Sequence, residues 1–137
     1  MTNIVLIPCA SKKQIHRAKA KDIYISPLFR MNLKYAQSLH PDRIFILSAK
    51  HGLLALDEEI EPYDKTLNTM NSQEIKEWAN NLLQKLRKVA DLEIDKFIIL
   101  AGDKYRKYVI PHIKNYETPL QSLSIGKQLQ YLKRKTK

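Results

Sequence analysis

The chain has 137 residues and a mass of 16.0 kDa, with 44% hydrophobic and 28% charged residues. That length fits one domain and that composition excludes wholesale disorder, while three Gly and six Pro exclude a linker, a collagen or a low-complexity array. Lys and Arg number 24 against 14 Asp and Glu, a formal charge of +10, and the single cysteine excludes an internal disulfide and a cysteine-only zinc site.

The charge is unevenly spread. Residues 1–50 carry nine basic and two acidic side chains, residues 51–95 five and ten, and residues 96–137 ten and two. Basic ends around an acidic middle are the footprint expected for a phosphate-bearing partner, although a solvated lysine-rich surface has the same composition. The longest apolar run, Ile4 to Ile7, is far shorter than the ~18–20 residues that span a bilayer. The start of the chain also lacks a signal-peptide pattern. The expectation is a cytosolic protein with no membrane partner.

In chain order, Asn3 to Ile7 predicts a first strand. Ser26-Pro27 then opens a helix, with Ser as cap and Pro at the first helical position. Its apolar stripe is Leu28, Met31, Tyr35 and Leu39, and His40-Pro41 closes it. Arg43 to Leu47 predicts a second strand. A longer helix starts at Asn71-Ser72, with Glu74 in its first turn and a stripe of Ile75, Trp78, Ala79, Leu82, Leu86 and Val89. Lys96 to Leu100 predicts a third strand, Lys104 to Ile110 a short helix stopped by Pro111, and Ile125 to Leu132 a last helix before a frayed basic tail, Lys133 to Lys137.

None of the three strands alternates apolar with polar residues, which marks strands buried on both faces of a parallel sheet. The order predicts an α/β class: one domain over residues 1–132 built as a three-layer α/β/α sandwich around a small, mostly parallel sheet of three or four strands. Right-handed crossovers put the carboxyl ends of parallel strands on one edge, outside which ligands bind in open α/β sheets. The loops after the strands bring Cys9, Ser11, Lys12, Lys13, Ser48, Lys50, His51, Asp103 and Tyr105 toward one cleft.

Each candidate has a chemical and a plain reading. The lysines beside Cys9 favour a nucleophilic thiolate, yet free cysteines are commonly small buried hydrophobes. Ser11 with the Lys12 and Lys13 amides can make a phosphate-holding turn at a helix start, while the lack of a Gly-rich phosphate loop excludes a P-loop nucleotide site. Lys50 and His51, followed by Gly52 for a tight turn, can hold an anion and shuttle a proton; His51 can equally bond the backbone of its own turn. Pro62 fixes the chain before Tyr63 and Asp64, a stacking ring and a general base or acceptor. Asp103 and Tyr105, after Gly102, form a second such pair that spacing does not rank against the first. Scattered histidines and one cysteine lack metal-ligand spacing, so neither metal nor cofactor is expected.

The segments P-C-A-S-K-K, Y-I-S-P-L-F, L-S-A-K-H-G-L-L, E-P-Y-D-K-T-L, L-A-G-D-K-Y and P-L-Q-S-L-S-I-G-K-Q, with the Trp78 helix, resemble short bacterial and phage proteins related to the YaaA family. The resemblance runs from about Ile4 to Leu132 and is most specific over Leu47 to Asp64. It implies a sandwich akin to uracil-DNA glycosylases, an association with DNA or RNA, and processing of modified bases. It also implies that Cys9 to Lys12, Ser48 to His51, Tyr63-Asp64 and Gly102 to Tyr105 line a base pocket.

The expected function is an enzyme acting on a nucleobase or nucleoside, by N-glycosidic cleavage or base modification. Lys50, His51, Asp64 and Cys9 are the reacting groups; Ser11, Lys12, Ser48, Tyr63, Gly102, Asp103 and Tyr105 bind substrate. The alternative is a nucleic-acid-binding protein without activity, held by salt-sensitive phosphate contacts.

Overall fold

A computed structural model describes residues 2–136. Strands β1 (Asn3–Pro8), β3 (Arg43–Ser48), β4 (Gly52–Ala55), β6 (Lys96–Ile99) and β7 (Asn115–Glu117) form one sheet in the order β4-β3-β1-β6-β7. β1 is parallel to both β3 and β6, β6 is parallel to β7, and only β4 runs antiparallel, against β3. The protein is therefore an α/β sandwich with a mostly parallel sheet of five strands, one or two more than expected. The extra strands carry weak signals: β4 is Gly-Leu-Leu-Ala, without a β-branched residue, and β7 is an exposed edge of Asn, Tyr and Glu.

The continuous apolar character of the central strands follows from their two covered faces. Ile4, Leu6, Phe45, Leu47, Phe97 and Ile99 pack with Trp78, Leu82 and Leu86 on one side. Val5, Ile7 and Ile46 pack with Ile23, Tyr24, Phe29, Leu33 and Leu132 on the other. The first of these layers is built on α3 (Ser72–Arg87), the second on α1 (Ala20–Ile23), α2 (Pro27–Ser38) and α5 (Ile125–Lys135). Ser26 Oγ accepts from Phe29 N at 3.1 Å to cap α2, and Asn71 with Glu74 forms a reciprocal capping box on α3. A two-stranded ribbon of β2 (Ala18–Lys19) and β5 (Glu59–Ile60) ties the segment after β1 to the segment after β4.

Three boundaries differ from expectation. Val89 lies past the end of α3 and is exposed, so the stripe ends at Leu86. α4 covers only Asp103–Arg106, and Pro111 sits inside a 3-10 turn, Ile110–His112, that tighter bonds such as Val109 N to Arg106 O prepare. Lys133 to Lys135 continue α5, because buried Leu132 anchors the last turn and Thr136 Oγ1 donates to Leu132 O at 2.8 Å; Lys137 lies outside the described residues. Among the described residues no helix is long and apolar enough to cross a membrane.

Candidate functional site

Because β1, β3 and β6 are parallel, their carboxyl ends share one rim of the sheet. The turn after β3 is shaped by its sequence. Gly52 adopts φ +75°, a left-handed conformation that favours glycine and closes the hairpin into β4. Ser48 Oγ accepts from His51 N at 3.0 Å, and the Trp78 indole donates to Ser48 O at 2.8 Å, so α3 pins the strand end from below.

Ser48 is fully buried and starts a chain of hydroxyls: Ser48 Oγ to Tyr63 Oη at 2.9 Å, then Tyr63 Oη to Tyr24 Oη at 2.6 Å. Three hydroxyl protons serve two bonds, so one O–H of the chain is not consumed by it. Burial pushes the Tyr24 phenol up to about 12, with the nearby Cys9 adding to the shift while bonds from Tyr63 and Ser48 oppose it. Burial, with Cys9 second, also raises Tyr63 and Tyr105 far above the ordinary phenol value. All three phenols are neutral donors at physiological pH.

Around this chain stand four more groups. Cys9 Sγ and Tyr105 Oη share a hydrogen bond at 3.2 Å, and Tyr105 meets Trp78 edge to face. Lys13 Nζ lies 4.2 Å from the centroid of the Tyr63 ring. Desolvation lowers its ammonium below 10.5, opposed by the charges of Cys9 and Asp64. His51 approaches Tyr63 edge-on, with ring centroids 5.4 Å apart. Its Nε2 is enclosed and has no hydrogen-bond partner among the described residues. Burial lowers the His51 value below 6.5, with Lys50 and then Lys85 adding to the shift and Glu58 opposing it. The imidazole is therefore neutral at pH 7.

The rim thus gathers Cys9, Lys13, Ser48, His51, Tyr63 and Tyr105, six of the residues singled out in the sequence, while Asp64 is exposed and acts on the group only through its charge on Lys13. Others stand apart from the hydroxyl chain. Ser11 and Lys12 are exposed, and their segment leads into an extended bridge between Lys13 and Tyr24 rather than a helix start, so the expected phosphate turn is not formed there. Gly102 caps the short α4, while the Asp103 side chain is 76% exposed and reaches only Arg106, at 3.9 Å. Lys50 is exposed and points its charge to clefts on the outer side of His51. Sequence reasoning gave Tyr24 and Trp78 no site role. Tyr24 sits inside a helix-entry motif and Trp78 on a clean apolar stripe, and only tertiary contacts reveal their polar ends.

The acidic middle segment has a structural explanation. Asp57 pairs with Lys19 and Lys21, and Glu61 with Arg17, so the acidic run folds back on the basic first segment. By contrast α2 and α5 contain no acidic residue and carry Arg30, Lys34, Lys127, Lys133, Arg134 and Lys135. Among the described residues no group of three or more His, Cys, Asp or Glu is placed to hold a metal ion.

Fold and rim together define the class: a small α/β sandwich whose polar side chains converge at the carboxyl ends of parallel strands. The chain belongs to a family of unknown function (DUF6884), matched over residues 4–134. Comparison with curated proteins and with solved structures finds no match in either.

Proposed function

We propose that this protein is an enzyme acting on a nucleobase or nucleoside, a modified base included, at the rim formed by β1, β3 and the Tyr63 segment. The observation that carries this reading is the surround of Tyr63. Its ring has a lysine on one face and a histidine ring perpendicular to it, with the thiol of Cys9 and a surplus hydroxyl donor close by and exposed Asp64 next in the chain. An aromatic face flanked by oriented donors and acceptors suits a planar heterocycle with polar edges. The base displaces Lys13 from Tyr63 and stacks in its place, and the rim opens so that His51 Nε2, enclosed and unpartnered among the described residues, and the hydroxyl of Tyr63 contact its edge. The likeness of Leu47 to Asp64 to YaaA-related proteins supports the same reading.

Two reactions fit these groups. In N-glycosidic cleavage Asp64 orients water onto the anomeric carbon, and His51 with the hydroxyl chain stabilises the departing base. In base modification the Cys9 sulfur adds to the carbon of a nitrile while Lys13, rather than the exposed Lys12, supplies the proton to its nitrogen; water then adds to the thioimidate and the thiol leaves, which gives the amide. The test is mass spectrometry of nucleosides and nuclease-digested DNA and RNA incubated with the protein and its variants. A released base or a mass-shifted nucleoside, lost in His51→Ala and Tyr63→Ala, is the expected result. Cys9→Ser abolishes modification but spares cleavage; Asp64→Asn does the reverse. No product from any substrate pool overturns the proposal.

The absence of acidic residues from α2 and α5 favours a second reading, a nucleic-acid-binding protein without turnover. It requires affinity that falls steeply with salt and charge reversal at Lys127 and Arg134 that abolishes binding.

A further inference from the structure

Beyond the rim, His51 is also the wall of a second space. A cleft of about 490 Å³ opens between the 49–52 turn and α3, lined among others by Lys50, His51, Lys65, Trp78, Lys85 and Lys88. His51 and Trp78 therefore stand between this cleft and the Tyr63 and Tyr105 rings. Among the described residues none of Lys50, Lys65, Lys85 and Lys88 forms an ion pair with a carboxylate. Two glutamates also border the cleft; Glu74 accepts from Asn71 N in the helix cap and Glu77 from Gln73 Nε2, bonds that fix their positions and leave their charge in place. Lys85 is held in position by donating to His51 O at 2.7 Å.

Four lysines against two glutamates leave the lining of this cleft with two positive charges in excess, a balance that favours an anion. No arginine lines this cleft, and lysines bind as point charges, from which a phosphate, with more charge than a carboxylate, gains more. The volume falls in the range of small-ligand sites and exceeds what a lone phosphate fills. We propose that this cleft is a phosphate subsite, so that the substrate of the rim is a phosphorylated nucleoside unit rather than a free base. The inference rests on the base-directed reading of the rim: His51 lines the cleft and also meets the Tyr63 ring, so a nucleoside whose phosphate sits in the cleft passes around the 49–52 turn to stack on Tyr63. The phosphate belongs either to a free nucleotide or to a strand, and its chemistry is the same in both.

Binding has a built-in reporter. Lys50 and Lys85 hold the His51 imidazole down together with burial, while Glu58 pulls the other way. An anion between the lysines screens their charge and makes protonation of His51 easier. The test is NMR titration of His51 in the full chain against inorganic phosphate, uridine 5′-monophosphate, uridine, and a short single-stranded oligonucleotide lacking terminal phosphates. Phosphate and the monophosphate are expected to raise the midpoint of the His51 titration. The double variant Lys50→Ala/Lys65→Ala weakens them by about tenfold, whereas Lys34→Ala/Lys127→Ala leaves them unchanged. A response to the oligonucleotide that also needs Lys50 and Lys65 assigns the source to a strand; a response to the monophosphate alone assigns it to a free nucleotide. An unmoved His51 with all three phosphate probes, or binding indifferent to Lys50 and Lys65, overturns the subsite. Uridine shifting Tyr63 while phosphate leaves His51 unmoved sinks the subsite alone. Phosphate moving His51 while neither nucleoside nor nucleotide reaches Tyr63 sinks the link to the rim and with it the phosphorylated-nucleoside substrate.

Discussion

The two rims of the sheet treat polar side chains differently. At the amino rim carboxylates close on backbone amides. Asp95 accepts from Thr2 N at 3.0 Å and Asp91 N at 2.8 Å, Asp42 accepts from Asn3 N at 2.8 Å, and Asp91 accepts from Glu93 N at 2.9 Å. At the carboxyl rim side chains also bond one another: Tyr24 to Tyr63, Tyr63 to Ser48, and Cys9 to Tyr105. A carboxylate bonded to the backbone cannot turn to a ligand without freeing the chain, whereas a hydroxyl bonded to another hydroxyl can exchange its partner. Size alone misleads here. A cleft of about 850 Å³ lies at the amino rim, but Asp91 and Asp95 in its wall are already engaged.

Substitutions can break this contrast. Trp78→Ala acts on both the core and the carboxyl rim, because the indole packs in the buried layer and donates to Ser48 O. It should cost about 3–5 kcal/mol in urea unfolding, and a cost below about 1 kcal/mol would contradict the packing described. Tyr63→Phe removes the middle hydroxyl of the chain and leaves that of Tyr24 buried. Its expected cost is about 1–3 kcal/mol, with ligand or substrate response lost; full response in a stable variant would detach the chain from function.

Asp95→Asn tests the other rim. Bonds from the Asp91 and Thr2 amides hold the Asp95 carboxyl below 3.8. Its contribution is thus present at neutral pH and lost as pH falls through the folded value. The variant should melt several degrees lower at pH 7 and lose part of its acid sensitivity, with unchanged activity; an activity defect would make the amino rim functional. His51 gives a smaller effect of related sign. Its folded value lies below 6.5, so acidification below pH 6.5 protonates the unfolded chain first and erodes stability, and His51→Gln should flatten that slope. Asp103→Ala should change stability by less than about 0.5 kcal/mol and leave activity intact, since the side chain is exposed and only loosely placed near Arg106.

Much of the frame was legible because burial writes itself into composition. Ile4 to Ile7, Ile44 to Leu47 and Phe97 to Ile99 face two cores, and no polar residue interrupts them. Ser26-Pro27 and Asn71 with Glu74 declare helix starts through local bonds. Edge strands carry no such mark, and β7 is exposed at all three positions. Topology sufficed to bring Cys9, Ser48 and Tyr105 to one rim, since parallel strands leave their ends together. It did not separate Asp64, whose charge acts on Lys13, from Asp103, which lies by Arg106, because both are exposed and follow short turns in similar sequence. Nor did it place Tyr24, whose hydroxyl is engaged through the two-stranded ribbon that draws Tyr63 across the rim.

The account turns on which rim receives a planar heterocycle. The direct measurement is side-chain NMR of histidine and tyrosine resonances while nucleosides and nucleotides are added to the intact protein. Shifts at His51, Tyr63 and Tyr105 with His112 silent are the predicted result. Shifts confined to His112, or none at His51, Tyr63 and Tyr105 with any nucleoside or nucleotide, would contradict it.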